Sequence, residues 1–320
     1  MKNNILILSA GRRVELVKCF KKAAEEKGNQ SLVIAADLSE TAPALYFADK
    51  YYTIPRIGTE GYLDSIMEIC RKEEVGLVVP TIDTELLLLA EKKDFLEEAT
   101  GAIILISAPE VVKICRNKRE SQRFFEENGF LVPRCIEDIY EEGLTFPVFI
   151  KPLDGSSSMN AFKVRNREEL EFFYHYIDKP IVQEYMEGEE FTVDVFLDFE
   201  GKIITIVPRK RLAVRSGEIA KGLIVKDREI MEDVTRLMEV LKPVGHITVQ
   251  CMKTKRGIEY IEINPRFGGG APMSIMAGAD SCQRLYELLE GKALTYREDY
   301  RENLLFLRFD DSIMLDLGEA

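Results

Sequence analysis

The chain has 320 residues, of which 43 are Lys or Arg and 55 are Asp or Glu, so its formal net charge is −12. This length is sufficient for two or three packed domains. The negative charge disfavours nucleic acid and anionic membranes as partners, because there is no basic excess to displace counterions from phosphates.

The cysteines and the N-terminus indicate where the protein works. Six cysteines stand singly in the chain: Cys19, Cys70, Cys115, Cys135, Cys251 and Cys282. This spacing is unlike a secreted disulfide framework and predicts reduced thiols. The first apolar stretch is short and is interrupted by Arg12 and Arg13, unlike a signal peptide, and no run approaches the ~20 apolar residues that span a bilayer. We therefore expect a cytoplasmic protein.

From residue 4 to about residue 112, short apolar runs alternate with helical patterns. The runs are NILILSA, SLVIAAD, YYTIP and VGLVVPT, with helices between them, a further helix near 83–97 and a last strand AIILISA. This alternation predicts βαβ units that build a mostly parallel sheet. Val14, Val17, Phe20 and Ala24 give the first helix an apolar stripe, and Gly28 can end it.

Two places in this first region have more than one interpretation. The turn SAGRR does not match GxGxxG, although Asp37 ends the second strand where a ribose-binding acid would lie. We favour a simple tight turn at Gly11 over a dinucleotide site. Asp83 and Glu85 directly follow a strand, which favours a place facing a ligand-binding cleft between domains, and helix capping by Asp83 is the equally good alternative.

The pattern changes near residues 113–117, where we expect a domain boundary. Asn117 and Glu120 form a capping-box pattern, which places Lys118 in the first turn of a helix. A cation there opposes the helix dipole unless an anion shares the site, and the alternative is an exposed lysine. In FPVFIKPLDGSSS, Lys151 ends a strand before a Gly/Ser loop, which is either an anion-binding nest or a plain connection.

The stretch IVQEYMEGEEFTVDVF predicts a strand, a turn at Gly188 and a second strand. Side chains of the second strand alternate between two faces: Phe191, Val193 and Val195 on one, and Glu190, Thr192 and Asp194 on the other. The polar face could bind a ribose or a cation, or it could be solvated.

Six side chains are predicted to lie on one face of a hairpin in HITVQCMKTKRGIEYIEINPRFGGGAP: Thr248, Gln250 and Met252 on the first strand, and Tyr260, Glu262 and Asn264 on the second. With the turn near Arg256, Gln250 and Glu262 become cross-strand neighbours with Cβ atoms about 5 Å apart. Such oxygen ligands suit Mg²⁺, which retains positions for water and phosphates. Arg266 follows directly, so its guanidinium can project beside the metal.

The segments FIKP at 149–152, QEYMEGEEF at 183–191 and EINPR at 262–266 resemble, in this order and spacing, the ATP-grasp superfamily, most closely its carbamoyl-phosphate-synthase-like branch. The resemblance covers nearly the whole chain and implies an α/β and α+β protein. It implies a Rossmann-like pre-ATP-grasp domain at 1–113, an ATP-grasp small lobe, or lid, at 114–186, and a large lobe with the metal site at 187–320.

The resemblance also implies a role for individual residues. Phosphates of ATP would be bound by residues of the small lobe: Lys118, Lys151, Ser156, Ser157 and Ser158, the serines within a closing loop at 154–160. The nucleoside would be bound by Gln183, Glu184 and Met186 at the adenine and by Glu190 at the ribose. One or two Mg²⁺ or Mn²⁺ ions would be bound by Gln250, Glu262 and Asn264. Arg266, with Lys151, would act on the transferring phosphoryl group.

The activity implied is an ATP-dependent carboxylate-amine ligase that forms an acyl phosphate and releases ADP and phosphate. Its partners would be a small carboxylic acid and an amine, and a homodimer is one expected assembly. Arg209 and Arg211, with Gly268 and Gly269, would meet the substrate, although a solvated charge run fits the two arginines equally well.

Two alternatives stay open at this point. One is a phosphotransferase that makes carbamoyl phosphate from bicarbonate, although carbamoyl phosphate synthase large subunits have two ATP-grasp halves and this chain has one. The other is a nucleotide sensor without turnover. Neither His175 nor His246 is expected to be catalytic, because each lies in a helix or strand pattern typical of structural residues.

Overall fold

The computed structural model describes residues 3–28, 30–153, 160–215 and 217–316, and these residues form one parallel and two antiparallel sheets. The first region contains β1 (Asn4–Leu8), α1 (Val14–Glu26), β2 (Val33–Asp37), a 3₁₀ helix (Pro43–Phe47), β3 (Lys50–Thr53), α2 (Tyr62–Lys72), β4 (Val75–Val79), α3 (Asp83–Glu91), α4 (Lys93–Thr100) and β5 (Ile103–Ile104). Its strands are parallel in the order β3-β2-β1-β4-β5, as the βαβ pattern predicts.

Local packing explains why these elements form. On α1, Val17, Phe20 and Ala24 are buried against the parallel sheet, and Gly28 follows the helix with a φ of +62°. Gly11 also has a positive φ, of +44°, and its N–H donates to Asp37 Oδ2 at 2.8 Å. Because Asp37 fixes this turn, the structure favours the tight-turn interpretation over a dinucleotide site.

Two predicted elements of this region differ in the structure. The single helix expected near 83–97 is divided into α3 and α4, because Lys92 between them leaves the helical conformation with φ −109° and ψ 9°. The strand expected over AIILISA shrinks to Ile103–Ile104, since the chain leaves the edge of the sheet after pairing with β4.

The second sheet is small and antiparallel, in the order β7-β6-β8. It follows two helices, α5 (Pro109–Arg116) and α6 (Lys118–Glu127), and contains β6 (Val148–Pro152), β7 (Phe162–Val164), α7 (Arg167–Tyr176) and β8 (Pro180–Glu184). Its core consists mainly of aliphatic side chains such as Val148, Ile150 and Leu170. The predicted boundary at residue 113 falls inside α5, and the predicted boundary at residue 186 falls just after β8.

The third sheet is larger and antiparallel, in the order β13-β12-β9-β10-β11-β14. Its region contains β9 (Gly188–Leu197), β10 (Ile203–Arg215), β11 (Glu218–Ile224), α8 (Arg228–Leu241), β12 (Gly245–Thr254), β13 (Gly257–Asn264), α9 (Ala271–Met276), α10 (Ser281–Leu289) and β14 (Leu305–Leu307). On β9, the side chains of Phe191, Val193 and Val195 lie on one face, as predicted. They pack in one core with side chains of α8. Thr192 and Asp194 on the opposite face are buried too, so a solvated polar face is excluded at these two residues.

The described residues also bear on two general expectations. None of the helices in the described ranges combines the length and apolarity that a membrane-crossing segment requires. All six cysteines are free thiols, as their spacing predicts.

Candidate active site

A cavity of about 720 Å³ lies between the small antiparallel sheet and the large one. Nine side chains predicted from the sequence line it: Lys118, Lys151, Gln183, Glu184, Met186, Glu190, Arg211, Gln250 and Glu262. Eight of them come from α6, β6, β8, β9, β10, β12 and β13, and Met186 lies between β8 and β9, so the cavity exists only when both sheets are folded and packed. A cavity of this size and polarity is typical of a small-molecule site.

The β12–β13 hairpin forms one wall, and its register matches the prediction. Gln250 pairs with Glu262 and Thr248 pairs with Asn264 across the two strands. The Asn264 amide Nδ2 donates to Glu262 Oε1 at 3.0 Å, so these two side chains are in contact, and Asn264 Oδ1 accepts from Arg266 Nη2 at 3.3 Å. The register therefore places Gln250 opposite Glu262 as predicted, whereas the metal-binding role of Gln250, Glu262 and Asn264 stays a prediction.

The predicted position of Tyr260 on this polar face is wrong. The register shifts after Gln250, so that Cys251 pairs with Tyr260 and Ile261 is the additional residue of a β-bulge. A bulge reverses the alternation of side chains between the two faces. Tyr260 accordingly lies in the core, where its ring stacks on Phe125 with a centroid distance of 4.9 Å.

Two lysines form the opposite wall. The Asn117 side chain accepts from the N–H groups of the first turn of α6, as the capping pattern predicts. Lys118 Nζ then donates to the carbonyl oxygens of Pro152 and Leu153, at 2.9 and 2.8 Å. This interaction brings the first turn of α6 against the end of β6, next to Lys151.

The electrostatics of Lys151 suit an anion. Burial, followed by repulsion from Lys118, lowers the pKa of Lys151 to about 8, and attraction from Glu262 opposes this shift. Burial and a neighbouring cation both favour the neutral form of a lysine, and a bound anion favours the charged form. Lys151 therefore connects the two walls electrostatically, with Lys118 on its own side and Glu262 across the cavity.

The strand end at Glu184 and the start of β9 form a third part of the cavity. Gln183 is buried and its amide Nε2 donates to Gln122 Oε1 at 3.1 Å, whereas the Glu184 carboxylate pairs with Arg134 Nε at 3.0 Å. Glu190 lies 2.9 Å from Arg211 Nε, and burial raises the pKa of this carboxyl group although Arg211 opposes the shift. The serines proposed for the closing loop, Ser156, Ser157 and Ser158, lie outside the described residues.

Arg266 is held by a residue from the parallel-sheet region. Its Nε and Nη2 donate to the two carboxylate oxygens of Asp83, at 2.9 and 2.6 Å, and Nη2 lies 3.3 Å from Asn264 Oδ1. Asp83 thus binds across the cleft rather than capping its own helix. Glu85 is instead fully buried, where it accepts from Ser9 Oγ at 2.7 Å and from the N–H groups of Thr81 and Ile82 before α3, so it caps the helix and does not face the cleft.

The prediction that Arg209 meets the substrate is also wrong. Its guanidinium is 1% exposed and donates to Asp194, to the Gly270 carbonyl oxygen and to Ser274. A buried arginine that is paired in this way holds structure together and is unavailable to a ligand. Sequence reasoning could not find this network, because Ser274 and Asp194 are 80 residues apart in the chain.

The glycines after Arg266 are explained by close packing. A Cβ atom on Gly268 would lie 2.7 Å from Thr248 Oγ1, and one on Gly269 would lie 2.6 Å from both Arg13 Nη1 and Glu218 Oε1. Protein side chains therefore occupy the space that a larger residue would need. These contacts bring Arg13 and Glu218, which sequence reasoning did not assign to the site, next to the glycine segment.

The hairpin residues have the donor atoms that Mg²⁺ prefers. Gln250, Glu262 and Asn264 offer one carboxylate and two amides, whose oxygens are hard ligands. In the described ranges no group of three or more His, Cys, Asp or Glu side chains could hold a metal by itself. With three protein ligands, a Mg²⁺ ion here would keep positions for water and for a bound phosphate.

The chain combines a parallel sheet with two antiparallel sheets that enclose a cavity. Lysines lie on one wall of this cavity and an oxygen-rich hairpin on the other. This is the architecture of the ATP-grasp class of proteins. Three family models match successive parts of the chain: "PylC-like, N-terminal domain" at 5–105, "D-ala D-ala ligase C-terminus" at 122–215 and "ATP-grasp in the biosynthetic pathway with Ter operon" at 177–306. The chain belongs to the ATP-grasp superfamily, and its first region is PylC-like. The resemblance in sequence and the predicted fold are thereby confirmed.

Individual proteins show the same relationship. The chain is 24% identical to carbamoyl-phosphate synthase of Methanobrevibacter smithii over 190 residues, which is 57% of this chain and 50% of that protein. It is 34% identical to D-alanine--D-alanine ligase of Fusobacterium nucleatum over 110 residues, 34% of this chain and 36% of that protein. The chain therefore spans half or less of the length of these relatives.

The fold is also similar to that of a solved structure. The biotin carboxylase domain of the 2-oxoglutarate carboxylase of Hydrogenobacter thermophilus, a dimer in complex with MgADP, ADP and bicarbonate, matches with a TM-score of 0.70. The match covers 95% of this chain and 74% of that chain at 18% identity, so it concerns the fold alone.

The Asp83–Arg266 pair should stabilise the packing of the parallel-sheet region on the large sheet. We expect a double-mutant cycle with Asp83→Asn and Arg266→Gln to give a coupling energy of about 1–2 kcal/mol in urea unfolding, because this bidentate pair is largely buried. Arg12 and Asp310 form a control pair across the same regions, with side chains 86% and 58% exposed, and should show no measurable coupling. Equal coupling in the two cycles would contradict the assigned role of Asp83.

Proposed function

We propose that the protein is an ATP-dependent carboxylate-amine ligase that forms an acyl phosphate and releases ADP and phosphate. The observation that carries this proposal is the cavity in which Lys118 and Lys151 face Gln250 and Glu262. A lysine with a depressed pKa beside a second lysine favours a bound polyanion. An oxygen-rich hairpin opposite them favours a divalent cation on the same polyanion.

Each group of residues would have a separate task. Lys118 and Lys151 would bind the phosphates of ATP, and the segment from Gln183 to Met186, with Glu190, would bind the nucleoside. Gln250, Glu262 and Asn264 would hold one or two Mg²⁺ or Mn²⁺ ions, and a bound Mg²⁺ would offset negative charge on the transferring phosphoryl group. Arg266 lies beside Asn264, where its guanidinium would stabilise the same charge.

The reaction would proceed in two balanced steps. A carboxylate oxygen of the acid attacks the γ-phosphorus of ATP, the bond to the bridging oxygen breaks, and ADP leaves. The acyl phosphate then accepts the nitrogen lone pair of the amine at its carbonyl carbon, phosphate leaves, and the amine loses a proton. Water would hydrolyse this intermediate, so the cavity walls must exclude it during turnover.

The names of the relatives support this class of reaction and one alternative. D-alanine--D-alanine ligase supports ligation of an acid and an amine. Carbamoyl-phosphate synthase, together with the bicarbonate in the Hydrogenobacter complex, favours a second candidate in which bicarbonate is phosphorylated. The match of residues 122–215 to the "D-ala D-ala ligase C-terminus" model favours the first candidate.

A hydroxylamine trap tests the proposal. We expect a panel of organic acids with ATP, Mg²⁺ and hydroxylamine to yield a hydroxamate together with ADP, because hydroxylamine intercepts an acyl phosphate. Glu262→Gln should lower the rate at least about a hundredfold and raise the Mg²⁺ concentration needed for half-maximal turnover, since it removes the one carboxylate of the hairpin site. Glu239→Gln, at an exposed position on α8, is the matched control and should behave like the wild type.

The same assay separates the other candidates. ADP release that requires bicarbonate and no organic acid would indicate the phosphotransferase. Nucleotide binding without turnover across the whole panel would indicate a sensor. Unchanged turnover in Glu262→Gln would contradict the metal assignment.

Nucleotide affinity should depend on pH through Lys151. Its pKa of about 8 in the free protein means that the ammonium form dominates below pH 8 and is lost above it. A bound triphosphate stabilises the ammonium form, so the Kd for ATP should change little from pH 6.5 to 7.5 and rise up to about tenfold per pH unit above 8.

Calorimetric titrations at several pH values measure this profile. Lys151→Arg should flatten it, because a guanidinium keeps its proton throughout this range. Lys22→Arg, on the exposed face of α1, should leave it unchanged. A profile that is flat in the wild type would show that Lys151 does not contact the nucleotide.

A further inference from the structure

An arginine from the parallel-sheet region reaches the glycine segment that follows Arg266. Arg13 lies immediately before α1, and its Nη1 is 3.3 Å from Glu218 Oε1 at the start of β11. The same Nη1 atom would lie 2.6 Å from a Cβ atom on Gly269, so the guanidinium rests directly on the glycine backbone. Arg13 thus lies where three separated parts of the chain meet.

This position adjoins both the cavity and the proposed phosphoryl site. Gly217, the residue before Glu218, lines the cavity, and its carbonyl oxygen accepts from Arg211 Nη2 at 3.0 Å. Burial lowers the pKa of Arg13, and the next largest influence is repulsion from Arg266. Arg13 therefore contacts the chain three residues after Arg266, and the two guanidinium groups repel each other across this junction.

The charges around Arg13 are unequal. Three guanidinium groups and two carboxylates surround this junction: Arg13, Arg266 and Arg308, with Asp83 and Glu218. Both oxygens of Asp83 accept from Arg266, and Glu218 Oε2 accepts from Arg308 at 2.9 Å. Among these five groups the arginines outnumber the carboxylates by one, in a protein whose formal net charge is −12.

Arg13 is also the least satisfied of the three arginines. Within the described residues its side chain makes one hydrogen bond, the 3.3 Å contact with Glu218, although a guanidinium has five N–H donors. Its side chain is 18% exposed, and none of its nitrogens is among the described buried atoms that lack a partner, so the remaining donors are open to a ligand that enters the junction. A planar carboxylate, which accepts two parallel N–H bonds, matches such a group best.

We propose that Arg13 binds a second carboxylate, one that is not phosphorylated, on the acid or on the amine substrate. This inference rests on the proposed ligase function and narrows its substrate class: either the acid is a dicarboxylate, acidic amino acids included, or the amine is an amino acid. The two cases share the same recognition chemistry, and hydroxylamine separates them because it replaces the amine and carries no carboxylate.

The experiment compares matched substrates in the wild type, Arg13→Met and Arg13→Lys. Monocarboxylic acids are paired with dicarboxylic acids of equal length, and simple amines are paired with amino acids. If the acid carries the second carboxylate, Arg13→Met raises its KM in the hydroxamate assay by about tenfold to a hundredfold, with a smaller change in kcat. If the amine carries it, hydroxamate formation is unchanged and the KM of the amine rises instead.

Two controls complete the design. Arg13→Lys keeps the charge without the bidentate geometry and should give an intermediate KM. Arg12→Met, at the neighbouring 86% exposed position, should leave both KM values unchanged. The proposal is overturned if the wild type uses monocarboxylic acids with simple amines as well as it uses their carboxylate-bearing counterparts, or if Arg13→Met alters neither KM.

A thermal measurement keeps this inference separate from the proposed function. In the presence of MgATP, dicarboxylates or amino acids should raise the Tm of the wild type more than matched monocarboxylates or amines do, and Arg13→Met should abolish the difference. A Tm difference without any turnover would contradict the ligase and retain the Arg13 site. Turnover without any Tm difference would contradict the Arg13 site and retain the ligase.

Discussion

The site depends on one electrostatic constraint: two ammonium groups are held near each other on one wall of a cavity, opposite a carboxylate on the other. Lys118 and Lys151 repel one another, and burial makes the charge on Lys151 more costly. The carbonyl oxygens of Pro152 and Leu153 hold Lys118 in place despite this cost. A polyanion bound in the cavity would offset the repulsion between the two ammonium groups. The arrangement of the two lysines therefore favours a nucleotide as the ligand.

The backbone supplies the rigidity that this constraint requires. Lys151 is positioned by the pairing of β6 with β7 and β8, and Glu262 by the pairing of β13 with β12. Beneath the glycine segment, the buried pair of Arg209 and Asp194 holds the Gly270 carbonyl and Ser274. The functional side chains therefore project from strands and from a capped helix, and their mutual distances follow from strand register.

Much of this arrangement could be predicted because it follows from local patterns. Alternation along two strands and a short turn place Gln250 opposite Glu262, and a capping residue at Asn117 fixes the first turn of α6. The prediction for Tyr260 was wrong because a β-bulge is an irregularity that alternation cannot reveal. The prediction for Arg209 was wrong because its partners come from distant parts of the chain. Asp83 was recognised as a strand-end acid, but its pairing with Arg266 spans 183 residues and is set by how the sheets pack.

The central claim is that a carboxylate oxygen attacks ATP to give an acyl phosphate, and isotopic labelling tests it most directly. The acid found by substrate screening would be supplied with ¹⁸O in both carboxylate oxygens, and the released phosphate would be analysed by mass spectrometry. The account predicts one ¹⁸O atom in each phosphate, because the carbonyl–oxygen bond breaks when the amine attacks. Product formation with unlabelled phosphate would contradict it.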